Sequence, residues 1–139
     1  MKKPAAPLPC PCDTGLPYDA CCGRLHAGEP APDARALMRS RYSAYVLELR
    51  NYLLDTWHPR TRPAALELEP GLRWLGLDVR RHVVLDADHA LVEFVARSKL
   101  GGRAQRLHET SRFERLDGRW LYLDGDLREP RAQFAAVPP

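Results

Sequence analysis

Apolar and polar positions change rhythm once along this chain, near Gly71. Before it, Met38, Tyr42, Tyr45, Leu49 and Tyr52 recur at three- and four-residue spacing, with Leu37 and Leu53 beside them. That period predicts helix from Ala34 to about Leu54. Asp33 is a good N-cap with Pro32 before it, and Asn51 marks a break between two helices. Trp57-His58-Pro59 ends the run, because proline disfavours the helical conformation of the residue before it. Pro63 to Leu68 reads as one short helical turn, and Glu69-Pro70-Gly71 as a turn.

After Gly71 the pattern is that of strands. Residues 72–85, 90–100, 103–116 and 119–124 interleave apolar with charged side chains. Asp86-Ala87-Asp88 turns the chain, and Gly101-Gly102 and Asp117-Gly118 are two-residue hairpin signals. Such loops fix register, so faces can be assigned. One face collects Val92, Phe94, Ala96, Leu107, Phe113, Trp120 and Tyr122, together with Glu109, Ser111 and Asp124, the last expected opposite Ser111. Arg97, Arg106, His108, Arg112 and Arg119 fall on the other face. Carboxylates on an apolar face need partners. Arg39, Arg41 and Arg50 of the helix are the candidate cations. Helices followed by a curved antiparallel four-stranded meander make an α+β cone.

All four cysteines lie between Cys10 and Cys22, in Cys10-Pro11-Cys12 and the vicinal pair Cys21-Cys22. Vicinal cysteines bridge each other only with strain, yet both can ligate one ion. Four thiolates suit tetrahedral zinc at about 2.3 Å, and they also suit iron. Such a knuckle has almost no apolar core, so it should fold only with metal bound. With four protein ligands the metal keeps no open position for water and reads as structural. His26 is at most a reserve ligand. Residues 1–9 read as a Pro/Ala-rich flexible tail, 27–33 as a Gly/Pro linker, and 128–139 as a second Pro/Ala-rich tail.

Composition narrows the function classes. The 139 residues are 45% hydrophobic and 28% charged, ordinary for a soluble globular protein, and no apolar run is long enough to cross a membrane. No signal peptide is read, so the expected compartment is a reducing cytoplasm, where thiols favour metal over disulfides. The net charge is +3, with basic and acidic residues interspersed. Specific DNA binding is not expected from that balance.

The run Cys10-Pro11-Cys12-x-x-Gly15-x-x-Tyr18-x-x-Cys21-Cys22-Gly23 resembles the SEC-C zinc-binding motif. It departs only at Asp13-Thr14, where that motif usually has Gly-Ser. The body resembles the YchJ-like (UPF0225) proteins, in which a SEC-C knuckle is joined to an NTF2-like domain. The stretches that carry this are 37–45, Thr56 to Pro59, Trp74 to Leu77, 92–97, 107–113 and Asp124 to Asp126. The resemblance implies an NTF2-like cone at 33–127, a zinc knuckle at 10–26 with Cys10, Cys12, Cys21 and Cys22 as ligands, and no established reaction.

Two functions follow. In the first, the knuckle is an adaptor that contacts a protein or ribosome-associated (ribonucleoprotein) partner, with the cone as scaffold. In the second, a small molecule enters a polar pocket between helix and sheet formed by Arg41, Tyr42, Tyr45, Glu109, Ser111 and Asp124. Glu109, Asp124 and His58 are the candidates for any catalysis there. No nucleophile triad, phosphate loop or metal-hydrolase motif is present, so no catalytic residue is assigned and the chain leans away from an enzyme.

Overall fold

Four antiparallel strands, β1 (Arg73–Asp86), β2 (His89–Leu100), β3 (Arg103–Leu116) and β4 (Arg119–Leu127), form one sheet in chain order. The computed structural model describes residues 8–128. Of the two expected tails, only Leu8, Pro9 and Arg128 fall within that range. Short helices α1 (Cys22–His26), α2 (Ala34–Val46) and α3 (Arg50–Asp55) precede the sheet.

Period-two alternation puts Ala90, Val92, Phe94, Ala96 and Ser98 of β2 inward, beside Leu107, Glu109, Ser111 and Phe113 of β3. Helix α2 lies across that inner face and buries Leu37, Met38, Arg41, Tyr42 and Tyr45. Asp33 caps α2 by accepting from Ala36 N at 2.8 Å. Three irregularities in β1, next to Trp74, Val79 and Val84, disturb its ladder with β2. Bulges of this kind bend and twist a strand, as a cone requires.

The helix break is not at Asn51. It lies at Leu47–Leu49, where Glu48 takes φ +57 and Leu49 N reaches Ala44 O at 2.8 Å. Periodicity could not show this, since Leu49 and Tyr52 stay in phase across it. Nor do residues 63–68 form a helical turn; they run irregularly, with Leu66 anchored in the core. Residues 56–58 add a short parallel pairing beside β4: Tyr122 N donates to Thr56 O and His58 N to Tyr122 O, both at 2.8 Å. This covers part of the β4 edge.

The expected register fails at one place. Phe113 pairs with Tyr122 as anticipated, but Arg112 pairs with Asp124 and Ser111 with Gly125. A bulge in β4 absorbs one extra residue and inverts every side chain beyond it. Asp124 therefore sits on the outer face, where Arg112 binds both Asp124 and Asp126. Gly125 takes the inward place, and a Cβ there would lie 2.5 Å from the Glu109 carboxyl carbon. Gly125→Ala is expected to cost about 2–4 kcal/mol by overpacking a filled core. Urea denaturation of the variant beside Gly125→Ala/Glu109→Ala checks this, because the double variant should recover much of the loss.

Candidate metal centre

Residues 8–18 make a tight hairpin. Tyr18 N donates to Leu8 O at 2.8 Å and Cys10 N to Leu16 O at 3.0 Å. The turn needs left-handed backbone at Asp13 (φ +64) and Gly15 (φ +86). A 3-10 turn at Tyr18–Ala20 then delivers Cys21, and α1 starts on Cys22. Gly23 is dictated by packing within this element: a Cβ there would stand 2.7 Å from the Tyr18 carbonyl oxygen.

The hairpin and α1 bring the Cys10, Cys12, Cys21 and Cys22 sulfurs within 4.8 Å of one another. Zinc with four sulfurs at about 2.3 Å needs edges of about 3.8 Å, so the donor set fits with small adjustments. All four are free thiols, and Cys10, Cys12 and Cys22 are buried while Cys21 is half-buried. Hydroxyls approach the sulfurs: Thr14 Oγ1 lies 3.2 Å from Cys21 Sγ, and Ser43 Oγ of α2 lies 3.6 Å from Cys10 Sγ. As free thiols they share protons unevenly. The hydrogen bond from Cys22 lowers Cys12 to about 4, and the same bond together with burial pushes Cys22 up. Four clustered sulfurs with one thiolate already favoured can hold a metal ion.

The knuckle is fastened to the body by side chains that spacing did not reveal. Arg39 Nη1 donates to Cys12 O at 2.9 Å. The Asp13 carboxylate accepts from Leu77 N of β1 at 3.2 Å. His26 Nε2 donates to Ser40 O at 2.8 Å, so its Nδ1 is the acceptor for the Tyr18 hydroxyl at 2.6 Å. Burial lowers the His26 pKa, which favours this neutral form. Both ring nitrogens are thus committed, and His26 stands as a strut between knuckle and α2 rather than as a reserve ligand. The only sequence signal for this docking was the departure at Asp13-Thr14, whose two side chains make the Leu77 and Cys21 contacts.

The residues expected to line a pocket do not share one. Arg41 is 1% exposed. Its Nη1 donates to Leu53 O and Thr56 Oγ1 at 2.7 Å, and its guanidinium lies over the Trp57 and Tyr122 rings. Tyr45 also hydrogen-bonds to it. Glu109 is 4% exposed and accepts from Ser111 Oγ at 2.6 Å. Burial raises the Glu109 pKa, with the Arg41 charge pulling the other way. Burial pushes the Tyr42 hydroxyl up. His58 donates from Nε2 to Glu114 at 3.1 Å and accepts the Arg60 N–H on Nδ1, so it organises the loop after α3. A cavity of about 340 Å³ does open at the wide end of the sheet, but of the expected residues only Tyr45 lines it, beside Leu66, Trp74 and Gln105. Among the described residues no helix is long and apolar enough to cross a membrane.

Residues 33–125 match the family described as the YchJ middle NTF2-like domain. A UPF0225 protein of Methylibium petroleiphilum is 66% identical over 131 residues, covering 91% of this chain and 94% of its own. One from Bordetella pertussis is 54% identical, covering 91% and 98%. The solution structure of a SEC-C motif containing protein from Rhodopseudomonas palustris superposes with a TM-score of 0.78 at 33% identity, covering 88% of this chain and all of that one. A crystal structure of a SEC-C motif containing protein from Psychrobacter arcticus gives 0.73 at 31% identity, covering 90% and 85%. With its cysteine cluster seated on an NTF2-like α+β cone, the chain belongs to the UPF0225 family, the YchJ-like proteins.

Proposed function

We propose that this protein is a zinc-dependent adaptor. Cys10, Cys12, Cys21 and Cys22 hold the ion, which supplies the fold of the knuckle and no reaction, since all four positions are filled by protein sulfurs. The observation that carries this reading is a groove of about 360 Å³ beside the cysteines. Its walls come from both sides of the joint: Leu16, Ala20 and Leu25 from the knuckle, Pro30 and Pro32 from the connector, Ala36 from α2. Such a surface exists only while the knuckle is folded and docked, so the metal controls whether it can be presented. Arg24 and Glu29, paired at 2.9 Å, and Arg39 add a polar rim to an apolar floor, the make-up of a protein-contact surface. The cone is its scaffold, with an interior occupied by the Arg41 and Glu109 side chains.

Quantitative affinity capture tests the reading. Leu16, half exposed at the groove, becomes Leu16→Glu, and a second protein carries Cys21→Ser/Cys22→Ser. A partner retained by the wild type should fall at least about tenfold with either variant, since a buried charge in an apolar contact costs more than about 1.4 kcal/mol. Equal recovery by all three proteins would refute the adaptor.

A further inference from the structure

Overall balance of charge hides a segregation that the β-register creates. On the outer face of the sheet, Arg73 is directly opposite Lys99, and Arg97 is directly opposite Arg106. Lys99 and Arg97 are two residues apart, so both pairs occupy neighbouring rows of one face. Strands about 4.8 Å apart and alternate residues about 6.8 Å apart place these four cations in one stepped cluster across β1, β2 and β3. Like charges directly opposite each other destabilise a sheet, so folding alone does not account for two such pairs in succession. Arg128, whose backbone N–H bonds His108 O, adds a cation in the next row.

The far end of the same face is built differently. There Arg112 binds Asp124 and Asp126, and on the way to it His108 meets Glu93 at 2.7 Å. At the basic end, exposed Arg73, Arg97 and Lys99 have no carboxylate at ion-pair distance among the described residues. Asp78 of β1 is engaged by Arg80 and Asp13 by Leu77 N. No Phe, Tyr or Trp occupies an outward register position on β1, β2 or β3.

We propose that this end of the outer sheet face binds the phosphate backbone of a nucleic-acid duplex, without reading bases. Closely spaced arginines suit phosphate, and the missing aromatics remove the stacking platform that single strands use. The surface is distinct from the cysteine groove and is independent of the adaptor reading.

The test is fluorescence anisotropy of the full chain with a labelled 20-base-pair DNA duplex and an RNA duplex of the same sequence. With about four phosphates neutralised, log K against log salt should have a slope of about −3.6 on DNA, a loss of roughly 150-fold from 50 to 200 mM. Arg97→Gln/Lys99→Gln should halve the slope and weaken binding at least about tenfold at 50 mM. Arg35→Gln, an exposed cation of α2, should change neither. All substituted sites are exposed, so circular dichroism should match the wild type. No binding to either duplex at 50 mM salt, or full binding by the double variant, overturns the proposal. So does displacement of duplex by poly-glutamate as effectively as by unlabelled duplex, because the face would then suit an acidic protein.

Discussion

Arg41→Met should be the most damaging single substitution in the cone, costing about 3–5 kcal/mol. The side chain is a fully buried cation whose partners include the Leu53 carbonyl, the Thr56 hydroxyl and the faces of Trp57 and Tyr122. Methionine fills similar volume but donates nothing. It strands a buried carbonyl and leaves Glu109 with burial and without the nearby positive charge that opposes it. In a body of this size the loss corresponds to a Tm drop of more than about 10 °C. Arg41→Met/Glu109→Gln should recover at least about 1 kcal/mol of it, since the two groups act on one another. Urea denaturation of the wild type, both single variants and the double variant measures this. A cost below about 1 kcal/mol for Arg41→Met would mean that these partners do not hold the cone interior together.

Removing the metal should unfold the knuckle and spare the sheet. Leu8 and Leu16 of the hairpin are largely exposed, so residues 8–26 have little core of their own beyond the cysteines. Structural zinc in such small elements contributes apparent binding free energies of about 10–16 kcal/mol at pH 7, which here is the folding free energy of the knuckle. A strong chelator should therefore erase amide hydrogen-exchange protection at Cys10, Tyr18 and Cys21 while β2 and β3 keep theirs. The docking bonds of Arg39, Asp13 and His26 depend on knuckle geometry, so protection at Leu77 N should fall as well. Unchanged exchange in the knuckle after complete metal removal would show that the hairpin and its docking contacts suffice without an ion.

Fold class was legible because two periodicities meet at one glycine and two hairpin turns fix the register between them. The limits have physical causes. The β4 bulge that carries Asp124 outward leaves no trace in the alternation of 119–124, since both registers put an apolar residue opposite Phe113. Gly125 held the clue: a glycine in a strand marks a bulge or a close approach, and here it admits the Glu109 carboxylate. The helix break at Glu48 was hidden because leucines on either side kept the helical phase. In the knuckle the ligand types and spacing were visible, but the struts came from Arg39, Ser43 and Leu77, which lie 27, 33 and 64 residues from the knuckle residues they bond. The basic end of the outer face needed the β1–β2–β3 register before its charges could be seen as neighbours.

X-ray absorption at the zinc edge of the purified chain reads the proposed four-sulfur clasp itself. We expect one zinc per chain with four sulfur neighbours at about 2.3 Å and no nitrogen. A shell containing imidazole nitrogen would return His26 to the ligand set and detach it from Ser40. A chain without metal, its cysteines joined as disulfides, would contradict the clasp altogether.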